Sequence, residues 1–139
     1  MNDNQDKKSQ RVGDGRVFFR YLLEHFGPKE NHNATAQRVL SIGQEKYGAE
    51  RDSLAGKHLR SWADGTRIVP KWAYSAALDL CLESGFEPES GDQVIACWKT
   101  WQSTQPEKPL PALMSEFRSV VPLTEEQEST LTDYLGLTP

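Results

Sequence analysis

Several things are missing from this sequence, and each absence removes a class of protein. No stretch alternates apolar and polar residues over a useful length, so no sheet is expected. No run approaches the eighteen or so apolar residues of a membrane span. No basic segment followed by an apolar core opens the chain as a secretory signal would, and the expectation is a cytoplasmic protein with no membrane partner. Cysteine is scarce. Cys81 and Cys97 are the complement of 2, and each sits in an apolar helical pattern, as buried thiols in a reducing compartment do. His25, His32 and His58 are scattered, so no metal site is expected. The chain has no phosphate-cradling Gly-rich loop followed by Lys-Ser/Thr, no Gly-x-Ser-x-Gly elbow and no His-Glu-x-x-His. Its acidic pairs, Glu50/Asp52 and Glu87/Glu89, fall in loop-like stretches. It does not read as an enzyme, and no cofactor is expected.

What is present is helical periodicity along most of the 139 residues, enough for one domain or one domain with a small appendage. Residues 1–15 are polar and read as a disordered arm carrying Lys7, Lys8 and Arg11, diluted by Asp3, Asp6 and Asp14. Arg16 to Phe26 places Val17, Phe18, Tyr21, Leu22 and His25/Phe26 at steps of three and four, which predicts a first helix. A second helix is predicted over Ala36 to Tyr47, capped by Thr35 or Asn33, with Val39, Leu40, Ile42, Gly43 and Tyr47 inward. Gly43 within it suits a close helix crossing. Lys71 to Glu83 reads as a helix with Trp72, Ala73, Ala76, Ala77, Leu80 and Cys81 on one face. Asp92 is the expected cap of a helix carrying Val94, Ile95, Trp98 and Trp101.

Residues 103–111, STQPEKPLP, form a Pro-rich linker, because proline excludes helix and central strand. Beyond it, Ala112 to Val121 and a capping-box helix from Thr124-Glu125-Glu126-Gln127 to Leu135 read as a C-terminal helical hairpin over 112–139. Such a pair has too little core to stand alone, so an oligomerisation or partner-binding role is expected of it. The fold class is thus all-α: a helical domain over 16–102, the linker, and the hairpin.

The most informative stretch is Ser53 to Tyr74, SLAGKHLRSWADGTRIVPKWAY. Ser53 is placed to cap a helix over residues 54–64. Leu54, Leu59 and Trp62 keep an apolar stripe, Gly65 fits the left-handed stop, and Pro70 precedes the next helix. Basic residues fall around it. The formal net charge of −4 argues against a general nucleic-acid binder, but the distribution is uneven. Residues 1–80 hold 13 Lys/Arg against 10 Asp/Glu, and residues 81–139 hold 3 against 10.

Leu59, Trp62, Gly65, Arg67 and Pro70 resemble the recognition-helix end of the Cro/cI-like helix-turn-helix family. The resemblance covers roughly a quarter of the chain. The connection over Ala49 to Ser53 is longer than the family's turn of about 3–4 residues. The resemblance implies a sequence-specific DNA-binding transcriptional regulator, a bacterial, phage or plasmid repressor acting as a homodimer. Helix 54–64 would enter the major groove of double-stranded DNA. Lys57 and Arg60 would reach bases, with Gly56 and Ser61 also exposed there. Arg67 and Lys71 would grip phosphates, and Arg51 and Ser53 would meet the backbone. The alternative is an all-helical interaction protein, an antitoxin, anti-activator or adaptor. It would hold a protein partner through the Trp98/Trp101 helix and the C-terminal hairpin.

Overall fold

The computed structural model describes residues 12–137, and among them the chain forms seven α-helices and no strand. They are α1 Arg16–Phe26, α2 His32–Lys46, α3 Gly56–Asp64, α4 Lys71–Glu83, α5 Gly91–Gln102, α6 Leu110–Val120 and α7 Glu125–Tyr134. The protein is all-α, as its periodicity predicts. Of the arm expected over 1–15, residues 1–11 lie outside the described residues. Val12 and Gly13 are tied down: the Gly13 N–H donates to Asp92 Oδ1 at 2.8 Å, and Lys99 Nζ donates to the Val12 carbonyl at 2.9 Å.

Two compact units divide the helices. Gly15–Phe86 holds α1 to α4; residues 12–14 and 87–137 hold α5 to α7. In the first unit α1 buries Phe18, Phe19 and Leu22. Its inner face is turned toward Phe19 rather than Val17, which is half-buried. The α2 helix buries Thr35, Ala36, Val39, Leu40 and Gly43 and runs against α4. A Cβ on Gly43 would collide with the Trp72 ring, so the glycine is a packing requirement that offsets its helix cost of about 1 kcal/mol. The end of α2 is fastened to α4 by Tyr47, whose hydroxyl donates to Asp79 Oδ2 at 2.6 Å.

The second unit is built on α5, against which both α6 and α7 pack. Trp98 is buried, with its ring centroid 5.2 Å from that of Phe117, and Trp101 is half-buried, 5.4 Å from the same ring. The last two helices are therefore not a hairpin attached to a front domain by a linker. They share a core with α5, which the sequence assigns to the front. The two indoles are engaged in that core. The linker is also shorter than 103–111, because Pro109 caps α6 and Pro111 sits in its first turn, where a missing N–H costs nothing. The Thr124 capping box forms as read: Thr124 Oγ1 accepts the Gln127 N–H at 3.1 Å and Gln127 Oε1 accepts the Thr124 N–H at 2.9 Å.

Four helix starts differ from the expected ones, and in two of them the expected cap has another use. The α2 helix is capped by Asn31, whose Oδ1 accepts the Ala34 N–H at 2.8 Å. Asn33 is spent on the Gly56 N–H and Thr35 on Glu30. Ser90 caps α5 in place of Asp92, which holds Gly13. At α3 the cap position is Ala55, not Ser53, so this helix begins at Gly56 and has no hydroxyl cap.

Trp62 is 3 % exposed, with its ring centroid 5.4 Å from Phe19 and 6.1 Å from Trp72. Trp62→Ala should lower unfolding free energy by about 3–5 kcal/mol, because the site is walled by rigid rings and cannot collapse. Denaturant titration reads this directly; an unchanged midpoint would mean that α3 presents this residue to solvent.

Candidate nucleic-acid interface

The α3 helix is nine residues long, and its rotation is set by what it buries: Gly56, Leu59, Trp62 and Ala63. At about 100° per residue the opposite face carries Lys57, Arg60, Ser61 and Asp64, at steps of three and four. Lys57, Arg60 and Asp64 are exposed, and Ser61 is half-buried. Gly56, expected to face outward, is buried. A Cβ there would run into His32 and its backbone, so the start of α3 lies directly against the first turn of α2. Asn33 Oδ1 accepts the Gly56 N–H at 2.8 Å and Gln37 Nε2 donates to the Leu54 carbonyl at 3.1 Å. These bonds replace the missing cap and clamp the helix entry.

His58 supplies the rest. It occupies the third helical position, and its Nδ1 accepts the Ala55 N–H at 3.0 Å, reaching back as Glu or Gln does in a capping box. An N–H can only donate, so Nδ1 is unprotonated and the neutral ring carries its proton on Nε2. Arg51 Nη2 lies 3.4 Å from Nε2, a cation beside an N–H rather than a hydrogen bond. Burial first, and then the charges of Arg51, Lys57 and Arg67, hold the His58 pKa below its ordinary value.

The remaining site residues are placed as follows. Arg51 is exposed, and its Nε donates to the Ser53 backbone carbonyl at 3.1 Å; the Ser53 hydroxyl, two residues before the Ala55 cap position, does not cap α3. Arg60 Nη1 lies 2.8 Å from His32 Nδ1, which accepts from it, and no carboxylate among the described residues forms an ion pair with the guanidinium. Lys57, Arg67 and Lys71 are exposed, and their side chains make no hydrogen bond or ion pair to the described residues. Gly65 ends α3 with φ of 83°, as a left-handed stop requires. The connection between α2 and α3 spans residues 47–55, so the two helices are not joined by a tight turn of about 3–4 residues.

Two participants were missed in the sequence. The Arg16 guanidinium lies over Gly65, where any side chain would collide with it. The contact joins the start of α1 to the end of α3, and no local pattern signals it. Asp64 stands on the same outer stripe as Lys57 and Arg60. Its Oδ1 accepts the Thr66 N–H at 2.9 Å, and hydrogen bonds from Thr66 hold its carboxyl below the usual carboxylate range. It could have been found from its helical step with Arg60. Over residues 51–71 there are 5 Lys/Arg and 2 Asp/Glu, whereas residues 87–139 hold 3 and 9.

Nothing in the rest of the described residues competes as a site. Cys81 and Cys97 are buried free thiols, and burial pushes Cys97 up to about 12, out of the reactive range. No group of three or more His, Cys, Asp or Glu that could hold a metal occurs among the described residues. None of the helices described is long and apolar enough to cross a membrane. Comparison with family models, with curated proteins and with solved structures finds no match.

The His58 ring gives a pH signature. Its folded pKa lies below the unfolded value near 6.5, so its contribution to stability is complete above about pH 6.5 and is lost as pH falls toward the folded value. His58→Gln keeps the reach back to Ala55 and removes the titration. Between about pH 7.5 and about 5.5 the wild type should lose stability relative to this variant, as measured by denaturant titration at each pH. A constant difference between the two proteins would mean that His58 does not cap α3.

Proposed function

We propose that this protein is a sequence-specific DNA-binding transcriptional regulator of the repressor type, acting as a homodimer in the cytoplasm. The α3 helix enters the major groove of double-stranded DNA. The reading is carried by one observation: Lys57 and Arg60 are exposed on the outer face of a short helix whose other face, Gly56, Leu59, Trp62 and Ala63, is locked into the core. The likeness of Leu59, Trp62, Gly65, Arg67 and Pro70 to the Cro/cI-like helix-turn-helix pattern supports it. Lys57 and Arg60, on the outer stripe, donate to guanine O6 and N7. Ser61, half-buried on that stripe, is the third base-side residue. Arg67 and Lys71, past the helix end, and Arg51 with Ser53, before its start, neutralise phosphates and set register. A two-fold dimer would place two copies of α3 one helical turn of DNA apart.

A second reading rests on the other unit. Its acidic balance and the half-covered Val120, Tyr134 and Leu137, each 45 % exposed, favour a protein partner there. That role is compatible with DNA binding by α3.

Reading and gripping are separable by mutation. Arg60→Ala should lose about 1–3 kcal/mol on a preferred duplex and relax preference at one base pair. Arg67→Ala should weaken all sequences alike and flatten the salt dependence by about one unit of slope. Both variants should melt with the wild type, since neither side chain is buried. The measurement is a titration of both on preferred and scrambled DNA at several salt concentrations. Unchanged binding by both would remove α3 from the interface.

A further inference from the structure

Among the described residues, the most exposed large apolar side chain is Ile68, at 95 %. A single exposed aliphatic is ordinary on a protein surface. Three features set this one apart. The first is that its loop is built rather than loose. Gly65 turns the chain in the left-handed conformation. The Thr66 N–H donates to Asp64 Oδ1 at 2.9 Å and to the Ser61 carbonyl at 3.0 Å, and Thr66 Oγ1 bonds the same carbonyl at 3.4 Å. Pro70 then fixes the entry to α4. The second is that Val69 and Pro70 are both half-buried, so of the bulky apolar residues in this loop Ile68 alone is fully held out. The third is its company: Arg67 and Lys71 flank it in the sequence, exposed, with side chains that make no hydrogen bond or ion pair among the described residues.

A β-branched aliphatic held in water, with a cation on the residue before it and another three residues after it, gains nothing in the free protein. It matches a surface that is anionic at its edges and apolar at a fixed point between them. A second copy of this chain fits poorly, because a two-fold contact centred on Ile68 would bring both Arg67/Lys71 pairs together. Duplex DNA fits. Phosphates line the groove edges, and the thymine C5-methyl is an apolar group on the major-groove floor. We propose that Ile68 is a specificity-determining residue that packs on a thymine methyl while Arg67 and Lys71 hold the flanking phosphates. This rests on the DNA-binding reading of α3 and extends the recognised site past the end of that helix.

The test removes one methyl at a time. Duplexes are enriched from a random-sequence DNA library with the full-length protein, and each thymine of an enriched duplex is replaced singly by uracil. The wild type should lose about 3- to 10-fold in affinity at one thymine. Ile68→Ser should bind the thymine duplex weaker by a similar factor, be indifferent to uracil at that position, and melt with the wild type. Indifference of the wild type to every uracil overturns the proposal, and so does an Ile68→Ser variant that keeps the wild-type sensitivity. An Ile68→Ser variant with unchanged DNA affinity but a smaller mass in sedimentation overturns it in favour of a contact between copies. Failure of the wild type to enrich any duplex overturns the DNA-binding reading itself, which separates that outcome from the others.

Discussion

The seating of Trp62 governs the candidate site. Its indole is walled by Phe19 of α1 and Trp72 of α4, and Leu59 and Ala63 of the same helix are buried beside it. A helix has one rotational freedom once its axis is placed, and this anchor removes it. With Trp62 inward, Lys57, Arg60 and Asp64 face outward by the geometry of the helix alone. A rotation by one residue would bury a cation with no carboxylate to meet it, at a cost of several kcal/mol. The apolar core thus fixes the polar face. Gly43 serves the same end at one remove, since it gives the Trp72 ring the room it needs beside α2.

The ends of α3 are held by different means. Its start lacks a hydroxyl cap and depends on Asn33, Gln37 and the reach back of His58. Its end is a left-handed glycine under the Arg16 guanidinium. The first arrangement is sensitive to protonation, because an imidazolium cannot accept the Ala55 N–H. The second is not. The helix dipole puts partial positive charge at the start of α3. Arg51 and Lys57 reinforce that end, while Asp64 sits at the opposite one, where its bond from Thr66 stabilises the turn.

Most of the helices were legible in the sequence, because steps of three and four survive any tertiary arrangement. Arg16–Phe26 and Lys71–Glu83 have the bounds their apolar spacing predicts. What was not legible is where a polar residue with two uses is spent. Asn33, Thr35 and Asp92 all look like caps, and all are drawn instead into contacts with Gly56, Glu30 and Gly13. The competition is decided by residues as far as 79 positions away, which no local window contains. The grouping of α5 with α6 and α7 was hidden for the same reason. The prolines mark a break in the chain, but the Trp98–Phe117 packing crosses it. Of the site, the cations and their outward face were readable from the stripe opposite Trp62. The Arg16 contact, the Arg60–His32 pairing and the isolation of Ile68 depend on the folded backbone.

The central claim is that one short helix and the loop after it, rather than the acidic C-terminal part, meet DNA. Amide chemical shifts of the full chain, followed by NMR during titration with duplex DNA at low salt, test it most directly. The account predicts that perturbations concentrate over residues 51–71, largest at Lys57, Arg60 and Ile68, and reverse when salt is raised. Shifts confined to residues 91–134, or none at any DNA concentration, would contradict it.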